Sequence, residues 1–134
     1  MMKMTLKSTG SELDYMGFNE KGHGIRLNGN GDGVSPMQSV LLAVAACSSI
    51  DVEIFLKKMR NDLTHIEVDV EGDRVEDQLP KVFTAIRLHY KLYGDIKDKS
   101  AQKAVDMAVK KYCSVSKMLE ATVDVSYTYE IIAQ

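Results

Sequence analysis

An α+β fold is predicted for this chain of 134 residues, and three observations predict it. A glycine-rich loop leads into a long, mostly apolar helical segment. Two stretches with two-residue alternation follow it. A pair of helical segments then leads to a third alternating stretch at the C-terminus. Strands come mostly in succession and few strand–helix–strand units appear, which separates the pattern from an alternating α/β fold.

The elements follow in order. Met2, Met4 and Leu6 alternate with polar residues, and Gly24-Ile25-Arg26-Leu27-Asn28 is a second short strand, with turn residues from Asn19 to Gly24 between them. Asn28 to Gly33 reads Asn-Gly-Asn-Gly-Asp-Gly, a loop, because its glycines resist both helix and strand. Ser35-Pro36 marks a helix start, with Ser as N-cap and Pro in the first turn. The helix is expected to run to about Arg60. Val40 to Ala46 is apolar on every side, which predicts burial at the centre of the fold. Ile66, Val68 and Val70 alternate with Glu67, Asp69 and Glu71, so one face of that strand is buried and the other wet. Val82, Ile86, Leu88, Tyr90 and Leu92 mark a strand over Lys81 to Tyr93, and Gly72 to Pro80 is the polar connection. Ala101, Ala104, Val105, Ala108, Val109 and Tyr112 fall at helical spacing. Ser114 or Ser116 can cap a second short helix ending near Ala121. Val123, Val125, Tyr127, Tyr129 and Ile131 form the last strand.

The length fits a single domain, 1–134, large enough to bury a core without staples. Lys and Arg number 17 and Asp and Glu 19, and no basic stripe is present, so a nucleic-acid partner is not expected. Met1 to Gly10 has no apolar run behind its lysines and so does not read as a signal peptide. The longest unbroken apolar run, Val40 to Cys47, falls short of a membrane span. The expectation is a cytoplasmic protein with no membrane partner. In that compartment its 2 cysteines are not a structural disulfide by default.

Cys47 lies on the long helix among Val40, Ala43, Val44, Ile50 and Ile54, with Asp51 one turn on. It reads as a buried core cysteine or as a reactive one. A reactive thiol needs a group that favours the thiolate, and Asp51 does the opposite, so the cation must come from elsewhere in the fold. Cys113 follows Lys110 and Lys111 and precedes a helix start, and both features lower a thiol pKa. It reads equally as a half-buried cysteine at a helix junction. Spacing does not show whether the two sulfurs meet. The glycine loop lacks the carboxylates of a calcium loop, with Asn28 first and Ser39 twelfth, and its glycine spacing does not fit a dinucleotide fingerprint. His23, His65 and His89 have no partner at metal-ligand spacing, so neither metal nor cofactor is expected.

Ser35-Pro36-Met37-Gln38, leading into Leu41-Leu42-Ala43-Val44-Ala45-Ala46-Cys47-Ser48, resembles the helix that carries the first cysteine in OsmC and organic-hydroperoxide-resistance proteins. Tyr112-Cys113-Ser114-Val115-Ser116-Lys117 is similar to the segment carrying their second cysteine. The resemblance covers nearly the whole chain and looks nearest to the YhfA-type branch. It implies an OsmC-like fold, with antiparallel sheets around a long buried central helix, in an intertwined homodimer. It implies a thiol peroxidase acting on organic hydroperoxides. Cys47 is then the peroxidatic residue and Cys113 the resolving one, and a dithiol reductant restores both. It also implies an arginine and a glutamate beside the first cysteine. Arg26 is the best match for the arginine. Where the glutamate belongs, this chain has Met37 followed by Gln38, which can orient Arg26 only through its carbonyl.

Two rival readings stand beside the peroxidase. One is a non-enzymatic module of the same fold binding a small apolar or thiol-reactive ligand at the dimer interface, where Met37 replaces a carboxylate. The other is a redox sensor in which Cys47 and Cys113 oxidise without turnover.

Overall fold

Ser35 and Pro36 start the long helix as their order predicts, and Gln38, which carried no capping expectation, closes the cap. The computed structural model, which describes all residues Met1–Gln134, shows the Ser35 Oγ accepting the Gln38 N–H at 3.1 Å. Gln38 Oε1 accepts the Ser35 N–H at 3.0 Å. This reciprocal capping box starts helix α1, Pro36–Lys58, and Lys57 and Lys58 sit in the last turn, where the helix dipole favours cations. The chain forms two compact units, 1–40 and 41–134.

The first unit is a three-stranded antiparallel sheet of β1 (Met4–Ser8), β2 (Asp14–Asn19) and β3 (Gly24–Asn28), in that order. Strand β2 is absent from the expected set. Gly17 sits at its middle and Asp14 and Asn19 at its ends, so it carries no alternating signal, and it is held by ladders on both sides. The register sets Leu6 opposite Gly17 and Gly17 opposite Ile25. Leu6, Ile25, Tyr15 and Leu27 therefore share one face, and Leu6 and Ile25 are exposed on it.

The second unit is built on β4 (Asp62–Arg74), β5 (Phe83–Asp95) and β6 (Asp124–Ile132), with β5 in the middle. Strand β4 continues past Gly72 to Arg74, beyond the expected start of the polar connection, because it pairs with β5 along its length. The expectation of antiparallel sheets needs one correction. Strands β4 and β5 are antiparallel, but β6 runs parallel to β5, Ala85 facing Asp124 and Tyr93 facing Ile132. The helical crossover between them returns the chain to the start of β5, so β6 must run the same way. That crossover is α2 (Asp98–Met107), a π-helical turn over Ala108–Tyr112, and α3 (Ser114–Leu119).

The alternation of β5 divides the sheet. Ile86, Leu88, Tyr90 and Leu92 are buried on one side, with Ala101, Ala104, Val105, Ala108 and Val109 of the crossover and Val44, Val52 and Leu56 of α1 also in the core. On the other side Arg87 reaches Asp73 and Glu71, Lys91 reaches Asp69, and His89 reaches Thr128 and Glu130. These pairs lie in water, where ion pairing contributes little, so the apolar side carries the stability.

Over Val40 to Ala46 helix α1 differs from its expected burial on every side, since Leu42, Ala43 and Ala46 are exposed, while the second half reaches solvent at Glu53, Lys57 and Lys58. Val44, Ser48, Val52 and Leu56, spaced by four, form the buried stripe. Leu42, Ile50 and Ile54, offset by two residues and so on the opposite side, are 55%, 59% and 45% exposed. By length and composition the helix is also long and apolar enough to cross a membrane. The unbroken run Val40 to Cys47 understated this, because a few small polar residues do not interrupt such a span. The hydrogen bond from its buried stripe to Tyr90 of β5 makes it the core helix of this unit.

Gly94 fixes one end of the β4–β5 ladder. Its φ is +137°, and a Cβ there would lie 2.0 Å from the Asp62 carbonyl oxygen. Gly94→Ala is expected to cost about 2 kcal/mol or more, read as a lower urea midpoint at unchanged slope. An unaltered midpoint would show that the backbone here relaxes freely.

Candidate functional site

The two cysteines come from different elements of the second unit. Cys47 sits at the border of the buried stripe of α1 and is half-buried. Cys113 lies at the hinge between the π-helical turn and α3, with extended backbone, and is fully buried. The π-helical turn closes with the Cys113 N–H donating to the Ala108 carbonyl at 2.8 Å. This wider turn is the kind of irregularity found where a helix re-aims a residue. The fold brings Cys47 near enough to Cys113 to raise the pKa of its thiol.

The electrostatics of Cys113 differ from the sequence expectation. Burial pushes its thiol up to about 11, and the neighbouring Cys47 thiol adds to the rise. The Ser116 N–H donates to its sulfur at 3.4 Å and opposes the shift without overcoming it. Neither Lys110 nor Lys111 offsets the burial: Lys110 pairs with Asp106 and Lys111 lies over the Tyr112 ring. Cys113 itself, rather than Ser114 or Ser116, is the N-cap of α3, and Ser116 turns its hydroxyl to the Val109 carbonyl at 2.9 Å.

Sequence reasoning passed over two further polar groups beside the thiols. Ser48 adjoins Cys47 on α1, and its Oγ lies 2.5 Å from the hydroxyl of Tyr90. Both side chains are fully buried. The Tyr90 hydroxyl is raised far above the ordinary tyrosine range, first by burial and further by the nearness of Cys113 and Cys47. The strand alternation had marked Tyr90 as core and nothing more. A tyrosine on a strand's apolar face must still satisfy its hydroxyl, and that requirement was the available signal.

Arg26 lies in the first unit, where its carboxylate partner is Asp14 of β2. Arg26 Nε donates to Asp14 Oδ1 at 2.7 Å, and Nη1 donates to the Asp32 carbonyl at 3.2 Å. Asp14 also accepts from Thr9 Oγ1 at 2.6 Å and from Asn28 Nδ2 at 2.8 Å. These bonds, Thr9 first, then Asn28 and Arg26, pull its carboxyl down to about 2. The glycine loop wraps this cluster. Asn28 Oδ1 accepts the N–H groups of Asn30 and Asp32, and a Cβ on Gly33 would crowd the guanidinium at 3.2 Å. Gln38 does not orient Arg26, because its carbonyl is committed to the Ser35 N–H. Met37, half-buried in the first turn of α1, supplies no charge.

No group of three or more His, Cys, Asp or Glu side chains is arranged to hold a metal ion. A groove of about 240 Å³ lies on the outer side of the β4–β5–β6 sheet, lined by Asp69, Glu71, Arg87, His89, Ser126 and Thr128. It is on the opposite side from the buried Tyr90, and Arg87 and His89 within it are already paired with sheet neighbours.

Residues 29–128 match the family model described as OsmC-like protein. Protein YhfA of Escherichia coli K12 is 43% identical over 124 residues, covering 90% of this chain and 92% of YhfA. A crystal structure of a hypothetical protein from Aquifex aeolicus VF5 is 26% identical, with a TM-score of 0.88 over 100% of this chain and 98% of that one. The organic hydroperoxide resistance protein OhrB of Bacillus subtilis is 20% identical, with a TM-score of 0.69 over 97% and 98%, a likeness of fold.

Two pH dependences follow from these surroundings. The Cys113 thiol has a higher pKa folded than unfolded, so its contribution is complete below about 9 and is lost as pH rises toward about 11. Chemical denaturation of the reduced protein is expected to show stability falling from pH 9 upward, and Cys113→Ala should flatten the fall between 9 and 10. Asp14 has the opposite sign. Its contribution is present above the ordinary carboxylate value of 3.8 and disappears as pH drops toward about 2. Asp14→Asn should therefore unfold at lower temperature at neutral pH and show less further loss on acidification; a melting curve identical to wild type at pH 7 contradicts the assignment.

Proposed function

The chain belongs to the OsmC-like protein family, and from that premise we propose that it is a thiol-dependent peroxidase that reduces organic hydroperoxides. The observation that carries this reading is the nearness of a half-buried thiol to a fully buried one, from separate elements of one unit. The organic hydroperoxide resistance protein among the fold neighbours supports it.

In this cycle the Cys47 thiolate attacks the outer oxygen of the hydroperoxide. The O–O bond breaks, the alcohol leaves with a proton, and Cys47 becomes a sulfenic acid. The Cys113 thiol then attacks that sulfur, an S–S bond forms, and the hydroxyl departs as water with the thiol proton. A dithiol reductant reduces the disulfide and is itself oxidised to a disulfide. We assign Arg26 the part of the activating cation on the family resemblance, with Asp14 in place of the expected glutamate as its anchor. Met37 leaves the reacting neighbourhood more apolar than a glutamate would, which suits a hydroperoxide with a hydrocarbon body. We place the cycle in the cytoplasm, with residues 1–134 acting as one domain.

We further infer that the chain works as a homodimer. Leu42, Ile50 and Ile54 on α1 and Leu6 and Ile25 on the first sheet are large apolar side chains left open in a single chain. A second copy offers the matching surfaces at once.

Steady-state reduction of an organic hydroperoxide with a dithiol reductant tests the activity. Cys47→Ser is expected to lower the rate by at least about a hundredfold, and Cys113→Ser to block recycling through the dithiol. Equal rates in wild type and Cys47→Ser would sink the peroxidase reading. Sedimentation velocity is expected to show a dimer for the wild type and a monomer for Ile50→Glu; a monomeric wild type rules the assembly out.

A further inference from the structure

On the solvent side of the β4–β5–β6 sheet, one imidazole has both nitrogens taken by side chains of a single strand. His89 of β5 stands opposite Thr128 of β6 in the parallel register, and Glu130 follows two residues later on the same face. Residues two apart on a strand are about 6.7 Å apart, so an imidazole fits between their side chains. His89 Nδ1 is 2.6 Å from Thr128 Oγ1, and His89 Nε2 is 2.9 Å from Glu130 Oε2. An ionised carboxylate only accepts, so the one proton of the neutral ring belongs on Nε2. Nδ1 then presents its lone pair, and the Thr128 hydroxyl donates to it. The contacts therefore hold a hydroxyl whose proton is already on a base, and a carboxylate that sets the tautomer of that base. This arrangement activates a hydroxyl as a nucleophile.

His89 and Thr128 both line the groove of about 240 Å³ on this side of the sheet, and Thr128 is exposed, so a molecule from solvent reaches its hydroxyl. Arg87 lines the same groove. It pairs through Nη1 and Nη2 with Asp73 and Glu71, which leaves its Nε–H as a donor for an oxygen that gains charge. The groove is small, and Asp69 and Glu71 in its wall disfavour an anionic ligand. We propose that Thr128, His89 and Glu130 form an acyl-transfer site for small uncharged carboxylic esters, a site that uses neither cysteine. Thr128 Oγ1 attacks the ester carbonyl carbon and its proton passes to His89 Nδ1. The bond to the leaving oxygen breaks, the alcohol departs with that proton, and an acyl ester remains on Thr128. Water then attacks the acyl carbon and gives a proton to His89. The acid is released and the Thr128 hydroxyl takes its proton back.

The test follows the acyl group itself. The whole wild-type chain is incubated with p-nitrophenyl acetate, digested with trypsin and read by mass spectrometry. The peptide Met118–Gln134 contains neither cysteine nor lysine, so an acetyl group on it does not come from those more reactive side chains. Fragmentation is expected to place the acetyl on Thr128, and Thr128→Val to abolish it. His89→Gln is expected to slow labelling of Thr128 by about a hundredfold. Glu130 acts through His89 as a positioning residue. Glu130→Gln offers Nε2 an N–H as well as an oxygen, which admits the other tautomer, and is expected to slow labelling by about tenfold or more. Ser126 is the internal control, because it lies on the same face of β6 opposite Arg87 rather than His89. A loosened strand would change labelling at both hydroxyls, whereas loss of the base lowers it at Thr128 alone. Unchanged labelling in Glu130→Gln overturns the role of Glu130. A wild type without acetyl on Thr128, or equal labelling of Thr128 in wild type and His89→Gln, overturns the site.

Discussion

A 23-residue helix with large apolar residues on more than one side sets the terms for the second unit. One three-stranded sheet can cover only one side of such a helix. The side it covers is the row Val44, Ser48, Val52 and Leu56. That choice places Cys47 at the edge of the covered row rather than within it. The half-burial of Cys47 is therefore a consequence of helix phase, since it stands one residue before Ser48, about 100° around the axis. A thiol one position later would have been sealed against the sheet, as Ser48 is. The same phase leaves Leu42, Ile50 and Ile54 uncovered, so this exposed apolar surface and the half-burial of Cys47 are fixed by one pattern.

The second constraint is the hinge at Cys113. A regular helix running from Asp98 to Leu119 would carry each residue about 100° onward from the last, with no freedom to aim a particular one. The π-helical turn over Ala108–Tyr112 and the extended backbone at Cys113 break that progression. Ala108 and Val109 stay buried on one side of the break and Ser116 on the other, so the irregularity is held in place by packing at both ends. The Ser116 hydroxyl, bonded back to the Val109 carbonyl, bridges it. The sulfur then serves as cap and as buried thiol at once, a combination that a serine cap in the same place would not give.

Periodicity made most of the architecture legible. The alternation of β4, β5 and β6, the N-cap at Ser35 and the helical spacing of α2 all express one residue pattern each, and local patterns survive folding. Strand β2 was silent, because Gly17 and its polar ends satisfy no period and only its two neighbours hold it extended. The direction of β6 was silent too, since a strand's own sequence does not encode which way its neighbour runs. Cys47 and Cys113 stood out through motifs that resemble those of the family. Their surroundings did not. Lysines near Cys113 in sequence promised a lowered pKa, whereas the lysine ammonium groups find other partners and burial dominates. Asp14 escaped notice for a related reason: its link to Arg26 runs across two strands, one of which gave no signal.

The contrast in burial between the two thiols argues for a division of labour between them. A thiol that is fully buried and held near pKa 11 is almost wholly protonated at neutral pH, with roughly one molecule in ten thousand as thiolate. Such a sulfur is a poor target for an outside oxidant and a poor first nucleophile. It is well suited to a reaction in which the electrophile is already beside it, because proximity replaces intrinsic reactivity by many orders of magnitude. The half-exposed Cys47 is the one that solvent-borne reagents can reach. In the proposed cycle, the order Cys47 first and Cys113 second is consistent with this difference in burial.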